Sequence, residues 1–164
     1  MGTAQDLVEI TSLLGRPAQG KFAVVVRDLD GRPVVIENSP VLYDGRPMPT
    51  LFWLVGDLEC VKVANLEAAG GVRLCQTQVS LDEIEQSHLR YSDLRSTKIP
   101  PGHRGPTPYG GVGGTRIGVK CLHAHLAWFL VDHSDPVGVW VTHRIDLDLS
   151  HYRLTGENIG EERP

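Results

Sequence analysis

The segment from Ser96 to Thr115 places the strongest constraint on the fold, because it holds four prolines and six glycines. Proline lacks a backbone donor, and glycine weakens the interior of helices and strands, so no regular element is expected to pass through this segment. A loop of this length in a compact domain is usually either functional or disordered. Four of its glycines cluster just before the next predicted helix, at Gly110, Gly111, Gly113 and Gly114. We therefore expect any functional site to lie where this glycine-rich stretch meets that helix.

The residues before the loop predict a helix followed by a small antiparallel sheet. Ala4–Leu14 has apolar residues at helical spacing. Two strand-like runs, Phe22–Val26 and Pro33–Ile36, flank the turn residues Asp30-Gly31, which is typical of a β-hairpin. Thr50–Val55 is a third strand candidate.

Further helices are predicted from capping residues and apolar spacing. Asp57 is a suitable N-cap for a helix that ends at Ala69, and Ser80 with Glu83 forms a capping-box pattern for a helix running to about Leu94. Two later segments are Gly118–Val131, predicted as a helix, and Pro136–Ile145, predicted as either a helix or a strand.

Together these elements predict an α+β fold, in which a small, mainly antiparallel sheet from about residue 22 to residue 55 is packed by four or five helices. Residues 1–150 are expected to form a single domain, and residues 151–164 a polar C-terminal tail.

Charge and cysteine content exclude several classes of protein. The formal net charge of −4 disfavours binding to nucleic acid through a basic surface. No run reaches the roughly 20 apolar residues of a membrane span, and the N-terminus carries Asp6 and Glu9 where a signal peptide would be apolar. The three cysteines are widely spaced and odd in number, which favours a reducing compartment. We therefore expect a cytoplasmic protein.

The charge is distributed unevenly along the chain. Leu94–Val131 contains no Asp or Glu but carries five Lys or Arg residues, so this segment has a formal charge of +5 and the remainder −9, from −4 minus 5. Such asymmetry can mark a surface for an anionic ligand or an acidic partner. Packing of a partly buried segment would also account for the missing acidic residues.

The predicted helix after the glycines carries the chemically versatile side chains Lys120, Cys121, His123 and His125. Cys121 and His125, at i and i+4, could share a zinc ion. Cys121 near a helix N-terminus could instead be an activated thiol with a histidine as its base. Free backbone N–H groups beside Lys120 and Arg116 could bind a phosphate or carboxylate. The remaining alternative is a buried thiol and hydrogen-bonded core histidines.

Four segments resemble the bacterial domain-of-unknown-function family 501, in matching order over roughly residues 20–145. They are Asp44-Gly45-Arg46-Pro47-Met48-Pro49-Thr50-Leu51-Phe52-Trp53-Leu54, Leu66-Glu67-Ala68-Ala69-Gly70, Gly118-Val119-Lys120-Cys121-Leu122-His123-Ala124-His125 and Asp135-Pro136-Val137-Gly138. The resemblance implies cysteines after the arginine of the first hairpin strand and after the Thr-Leu-Phe-Trp-Leu strand, where this chain has Asp28 and Gly56. If the family used those cysteines with Cys121 and His123 to bind zinc, this chain would have lost half of the site. We therefore assign no metal ligands from the sequence.

The favoured hypothesis is a protein that binds an anionic, phosphate-containing small molecule. Its expected binding residues are Arg104, Gly113, Gly114, Arg116, Lys120 and His125, and Cys121 and His123 would supply any proton or thiol chemistry. The alternatives are a non-catalytic module that docks an acidic protein partner, and a degenerate zinc-binding protein. The sequence does not decide whether the protein is an enzyme.

Overall fold

The computed structural model describes residues 3–155. Its elements in chain order are α1 (Ala4–Leu14), β1 (Phe22–Asp28), β2 (Pro33–Asn38), β3 (Phe52–Leu54), α2 (Asp57–Ala68), α3 (Gly71–Gln78), α4 (Leu81–Thr97), a short 3₁₀ turn (Val112–Gly114), α5 (Leu122–Asp132), α6 (Pro136–Arg144), a second 3₁₀ turn (Leu149–His151) and β4 (Tyr152–Leu154). The predicted α+β class is confirmed. The described residues form one four-stranded antiparallel sheet and six α-helices.

The predicted hairpin forms the centre of the sheet. Strands β1 and β2 pair antiparallel across the Asp30-Gly31 turn, in which Gly31 adopts a φ of +83°. Such a positive φ costs glycine little, which explains why the turn is placed there. The strand order is β3-β2-β1-β4, so β3 and β4 are the two edges.

A bulge in β1 lets the sheet serve two cores. The register of β1 against β2 shifts between Val24 and Val26. Val24 packs with Ile10 of α1 in a small core, whereas Val26 belongs to the main core under α5. Because side chains alternate across a strand, one extra residue is what allows positions two apart to face opposite sides.

Helix α5 is the central element of the main core. Every residue from Ala124 to Leu130 is buried, in agreement with an apolar pattern that extends almost all round the helix. Helix α6 crosses it closely at Gly138, where a Cβ would overlap the Cβ of Phe129. The ring of Trp128 stacks on Phe52 of β3 at 5.4 Å between centroids, which ties α5 to the sheet.

Arg95 of α4 holds the glycine-rich loop in place. This guanidinium is only 1% exposed, and it donates to the carbonyl oxygens of Pro49 (2.7 Å) and Gly110 (2.6 Å). One of the five basic residues of the acid-free segment therefore has a structural role.

Two elements differ from expectation. Helix α3 restarts directly after α2, because Gly70 turns the chain with a φ of +86° instead of ending the helical region. Residues 152–154, assigned from the sequence to the tail, form the edge strand β4, with Leu154 opposite Val26. A three-residue strand is too short to show a period-two pattern. The rest of the predicted tail, from residue 156 onward, lies outside the described residues.

Candidate functional site

A cavity of about 270 Å³ lies between β3 and the start of α5. It is lined by Lys120, Cys121 and His123, and also by Phe52 and Trp53 of β3. Gly113, from the glycine-rich loop, also lines it, so four of the sequence-predicted site residues meet in a single cavity.

The predicted start of the central helix at Gly118 is wrong, and the difference shapes the site. Helix α5 begins at Leu122, and Cys121 is its N-cap in an extended conformation with φ −150° and ψ 120°. Gly118 turns the chain with a φ of +64°, and the side-chain oxygen of Gln76 accepts from the N–H of Val119 at 2.9 Å. Lys120 thus precedes the helix, and Cys121 faces His123 instead of His125.

Glu67, Cys121 and His123 form a compact cluster. One ligand-type atom from each side chain lies within 4.8 Å of the other two. The Nδ1 atom of His123 is 3.3 Å from Oε1 of Glu67, and its Nε2 atom is 3.3 Å from the carbonyl oxygen of Cys60. Oε1 of Glu67 also accepts from the backbone N–H of Leu122 at 2.7 Å. A carboxylate at the end of α2 therefore fixes both the first residue of α5 and the imidazole of its second residue.

The surroundings of His123 favour the protonated imidazole. A side-chain hydrogen bond with Cys121 and the nearby carboxylate of Glu67 raise its pKa to about 9, against the opposing effect of burial. An acceptor faces each ring nitrogen. This arrangement suits an imidazolium, because both of its ring nitrogens are donors.

Cys60 lies next to the cluster, since its carbonyl oxygen faces Nε2 of His123. Its thiol donates to the carbonyl oxygen of Leu54 at 3.5 Å. Burial, together with the nearby carboxylates of Glu59 and Asp57, raises its pKa to about 11. Cys60 is therefore a protonated thiol that packs beside the cluster.

His125 lies in the core, away from the cavity. It is completely buried, and its Nδ1 atom is 2.9 Å from Oδ2 of Asp135. The same carboxylate accepts from Ser87 and from the backbone N–H of Gly138. Because α5 starts four residues later than predicted, the face expected to carry His125 beside Cys121 is instead packed against α4 and α6.

The predicted arginines also lie outside the cavity. Arg116 is exposed, and its guanidinium lies 5.0 Å from the ring centroid of Tyr109. Arg104 is exposed on the loop. Gly114 packs against the side chain of Pro49, with a φ of +76°. Of the basic residues proposed as ligands, only Lys120 lines the cavity, and its Nζ is 3.5 Å from the carbonyl oxygen of Gly113.

The two positions where the resemblance implies cysteines do not join the cluster. Asp28 lines a different cavity with Glu59 and Tyr152. Gly56 lies directly against Glu59, where any Cβ would overlap the carboxylate. A zinc site that combines positions 28 and 56 with Cys121 and His123 therefore does not form in this chain.

Sequence reasoning missed Glu67, the residue that completes the cluster. Its only signal was its place in the segment Leu66–Gly70, one of the four on which the family resemblance rests. No local pattern distinguishes it from the other carboxylates of α2, because its partner Leu122 is 55 residues away.

Comparison with known proteins identifies a family. The family model described as protein of unknown function (DUF501) matches residues 24–143, well over half of the chain. No curated protein and no solved structure matches the chain. Among the described residues, no helix is long and apolar enough to cross a lipid bilayer.

Proposed function

Because the chain belongs to the DUF501 family, whose description states no activity, we propose from the cavity itself that the protein binds a small anionic, phosphate-containing molecule between β3 and the start of α5. The observation that carries this proposal is that Lys120 lines the cavity with His123, and that its Nζ lies 3.5 Å from the carbonyl oxygen of Gly113, another lining residue. The ammonium group of Lys120 can donate hydrogen bonds to an anion, and protonated His123 adds a second positive charge to the lining of the cavity.

The shape of the cavity supports a small ligand with an apolar part. Its volume of about 270 Å³ is close to the lower end of the range for small-molecule sites, about 300–1,000 Å³. Phe52, Trp53 and Leu54 of β3 also line the cavity, together with Ala124. A few convergent polar groups in a mainly apolar cavity is the usual composition of such sites.

We expect phosphate compounds to stabilise the protein in a thermal-shift assay carried out with a chelator present. Inorganic phosphate, pyrophosphate, short polyphosphate and nucleotides are suitable probes. A ligand at 100 times its dissociation constant adds about 2.7 kcal/mol to the free energy of unfolding. Lys120→Gln removes the ammonium group but keeps a side chain of similar length. A hydrogen bond to a charged group contributes about 1.5–3 kcal/mol, so binding should weaken by roughly 10- to 150-fold.

Arg116→Gln is the matched control, since it removes one positive charge from the same segment but outside the cavity. It should leave the affinity almost unchanged. If no probe shifts the melting temperature, or if Lys120→Gln binds as tightly as the wild type, the proposal is wrong. Loss of binding in Arg116→Gln and Arg104→Gln instead would favour the alternative, in which the exposed basic loop docks an acidic partner.

A further inference from the structure

The donor set of the cluster suits a divalent transition metal. Glu67, Cys121 and His123 supply one oxygen, one sulfur and one nitrogen, the three ligand types that zinc takes in proteins. We propose that these three side chains bind a single divalent ion of the zinc class. This inference deepens the proposed function, but it is tested without any anion.

The spacing of the cluster fits a tetrahedral ion. Bonds of about 2.0–2.1 Å from a metal to nitrogen and oxygen place two tetrahedral ligands roughly 3.3 Å apart. The Nδ1 atom of His123 and Oε1 of Glu67 are 3.3 Å apart. The sulfur of Cys121 lies within 4.8 Å of both groups, which is compatible with the longer bond to sulfur, about 2.3 Å.

The outer contacts orient these groups as they do around bound metals. A ligating histidine usually donates its other ring N–H to a carbonyl or carboxylate. Nε2 of His123 faces the carbonyl oxygen of Cys60 at 3.3 Å, which leaves Nδ1 as the metal-binding nitrogen once the ion has displaced its proton. The N–H of Leu122 holds the carboxylate of Glu67, just as ligating carboxylates are usually hydrogen-bonded.

The cluster has three protein ligands, and two of them line the cavity. Structural zinc sites are closed by four protein ligands, whereas catalytic sites keep the fourth position for water or substrate. The fourth position here would face the cavity and Lys120, where an oxygen of the proposed anion could bind the ion. This last step rests on the proposed function.

The test is a titration of chelator-treated full-length protein with Zn²⁺ and with Co²⁺, in buffer without phosphate. We expect one ion per chain, and a thiolate-to-cobalt charge-transfer band in the near-ultraviolet. Cys121→Ser and His123→Ala should each weaken binding by more than about 100-fold, which is the upper end of the loss from changing an outer-shell partner. Circular dichroism of the metal-free variants should give melting temperatures close to that of the wild type, since both side chains are partly exposed.

Cys75→Ala and Cys60→Ala are the controls. Cys75 is buried in α3 outside the cluster, and its loss should leave binding unchanged. Less than one ion per chain, no thiolate band, or wild-type affinity in Cys121→Ser would overturn the metal site. A 100-fold loss of Zn²⁺ affinity in Cys60→Ala would show that Cys60 is a fourth protein ligand. The fourth coordination position would then not be open to water or an anion.

The two proposals fail in different ways. A phosphate-induced shift that requires Lys120 and persists with chelator, in a protein that binds no Zn²⁺, would refute only the metal. If the protein binds one Zn²⁺ per chain but phosphate compounds do not change its melting temperature, only the proposed anion binding would be refuted.

Discussion

The imidazole of His88 contacts both ends of the segment 112–118, which leads to the site. Its Nδ1 atom accepts from the N–H of Val112 at 3.1 Å, so the proton is on Nε2, which donates to the carbonyl oxygen of Gly118 at 2.9 Å. Burial is the main reason why the pKa of His88 is lowered, and the nearby His125 adds to the effect. The neutral ring is therefore the form that the fold requires.

We expect His88 to make stability depend on pH. The unfolded chain takes up the proton near pH 6.5, whereas the folded chain takes it up only at lower pH. The unfolded state thus binds more protons, so this contribution is present above about pH 6.5 and is lost as the pH falls. Urea denaturation of wild type and His88→Gln between pH 5 and 8 measures the difference. The glutamine can accept and donate at the same positions without titrating, so its curve should fall less steeply on acidification. Parallel curves for the two proteins would contradict this assignment.

At the scale of elements, the start of α5 determines which side chains meet in the cavity. Four residues of expected helix, from Gly118 to Cys121, are instead a turn and an extended cap. Gly118 is needed there because its φ is +64° and a Cβ would overlap the side-chain oxygen of Gln76. An additional helical turn would carry Lys120 and Cys121 out of their present positions.

Gly118→Ala should therefore weaken both stability and the site. A left-handed residue other than glycine costs about 1–2 kcal/mol, and the overlap with Gln76 adds to this. Thermal unfolding should give a lower melting temperature, and Zn²⁺ affinity should fall as Cys121 shifts. Gly102→Ala is the matched control, since Gly102 has a φ of +79° with open space around its Cβ position. It should lose only the backbone contribution and keep its affinity for metal. Equal effects of the two substitutions would show that Gln76 does not constrain this turn.

At the scale of the whole molecule, Asp135 joins three helices in the core. It is the N-cap of α6, and it accepts from Ser87 of α4 and lies 2.9 Å from Nδ1 of His125 in α5. The carboxylate is completely buried. Its contacts explain why the motif Asp135-Pro136 follows α5 so closely in the chain.

Asp135→Ala should be among the most destabilising single substitutions. It leaves the groups on Ser87, His125 and Gly138 without an acceptor, and each buried group left unsatisfied costs about 1–3 kcal/mol. Denaturation in guanidinium chloride measures the loss. Asp93→Ala, which removes an exposed carboxylate from α4, should change the free energy of unfolding by less than about 0.5 kcal/mol. A loss below about 1 kcal/mol in Asp135→Ala would contradict the role given to this residue.

Local signals in the sequence predict part of the fold. The hairpin, α1 and α4 follow from local signals, namely Asp30-Gly31, the apolar spacing of Ala4–Leu14 and the cap of Ser80. Strand β4 and the start of α5 depend on partners far along the chain, which no local pattern reveals. The same holds for the site.

Within the site, the predicted residues Lys120, Cys121 and His123 line one cavity, because they are close together in the sequence. Glu67 and the buried position of His125 depend on how α2, α4 and α6 pack. Helical periodicity places Cys121 and His125 on one face, at i and i+4, but it does not show which face the neighbouring helices cover.

The carboxylate of Glu67 accepts a hydrogen bond from the N–H of Leu122, the first residue of α5, and it also contacts the imidazole of His123. Glu67 therefore belongs both to the cluster and to the contact that holds the start of α5. Binding of an ion to the cluster should change the free energy of opening the helix start, and opening the helix start should change the affinity for the ion. Hydrogen exchange at the Leu122 amide would report this linkage directly, since opening the helix start releases the carboxylate. An ion bound at the cluster would therefore be coupled to the stability of the start of α5.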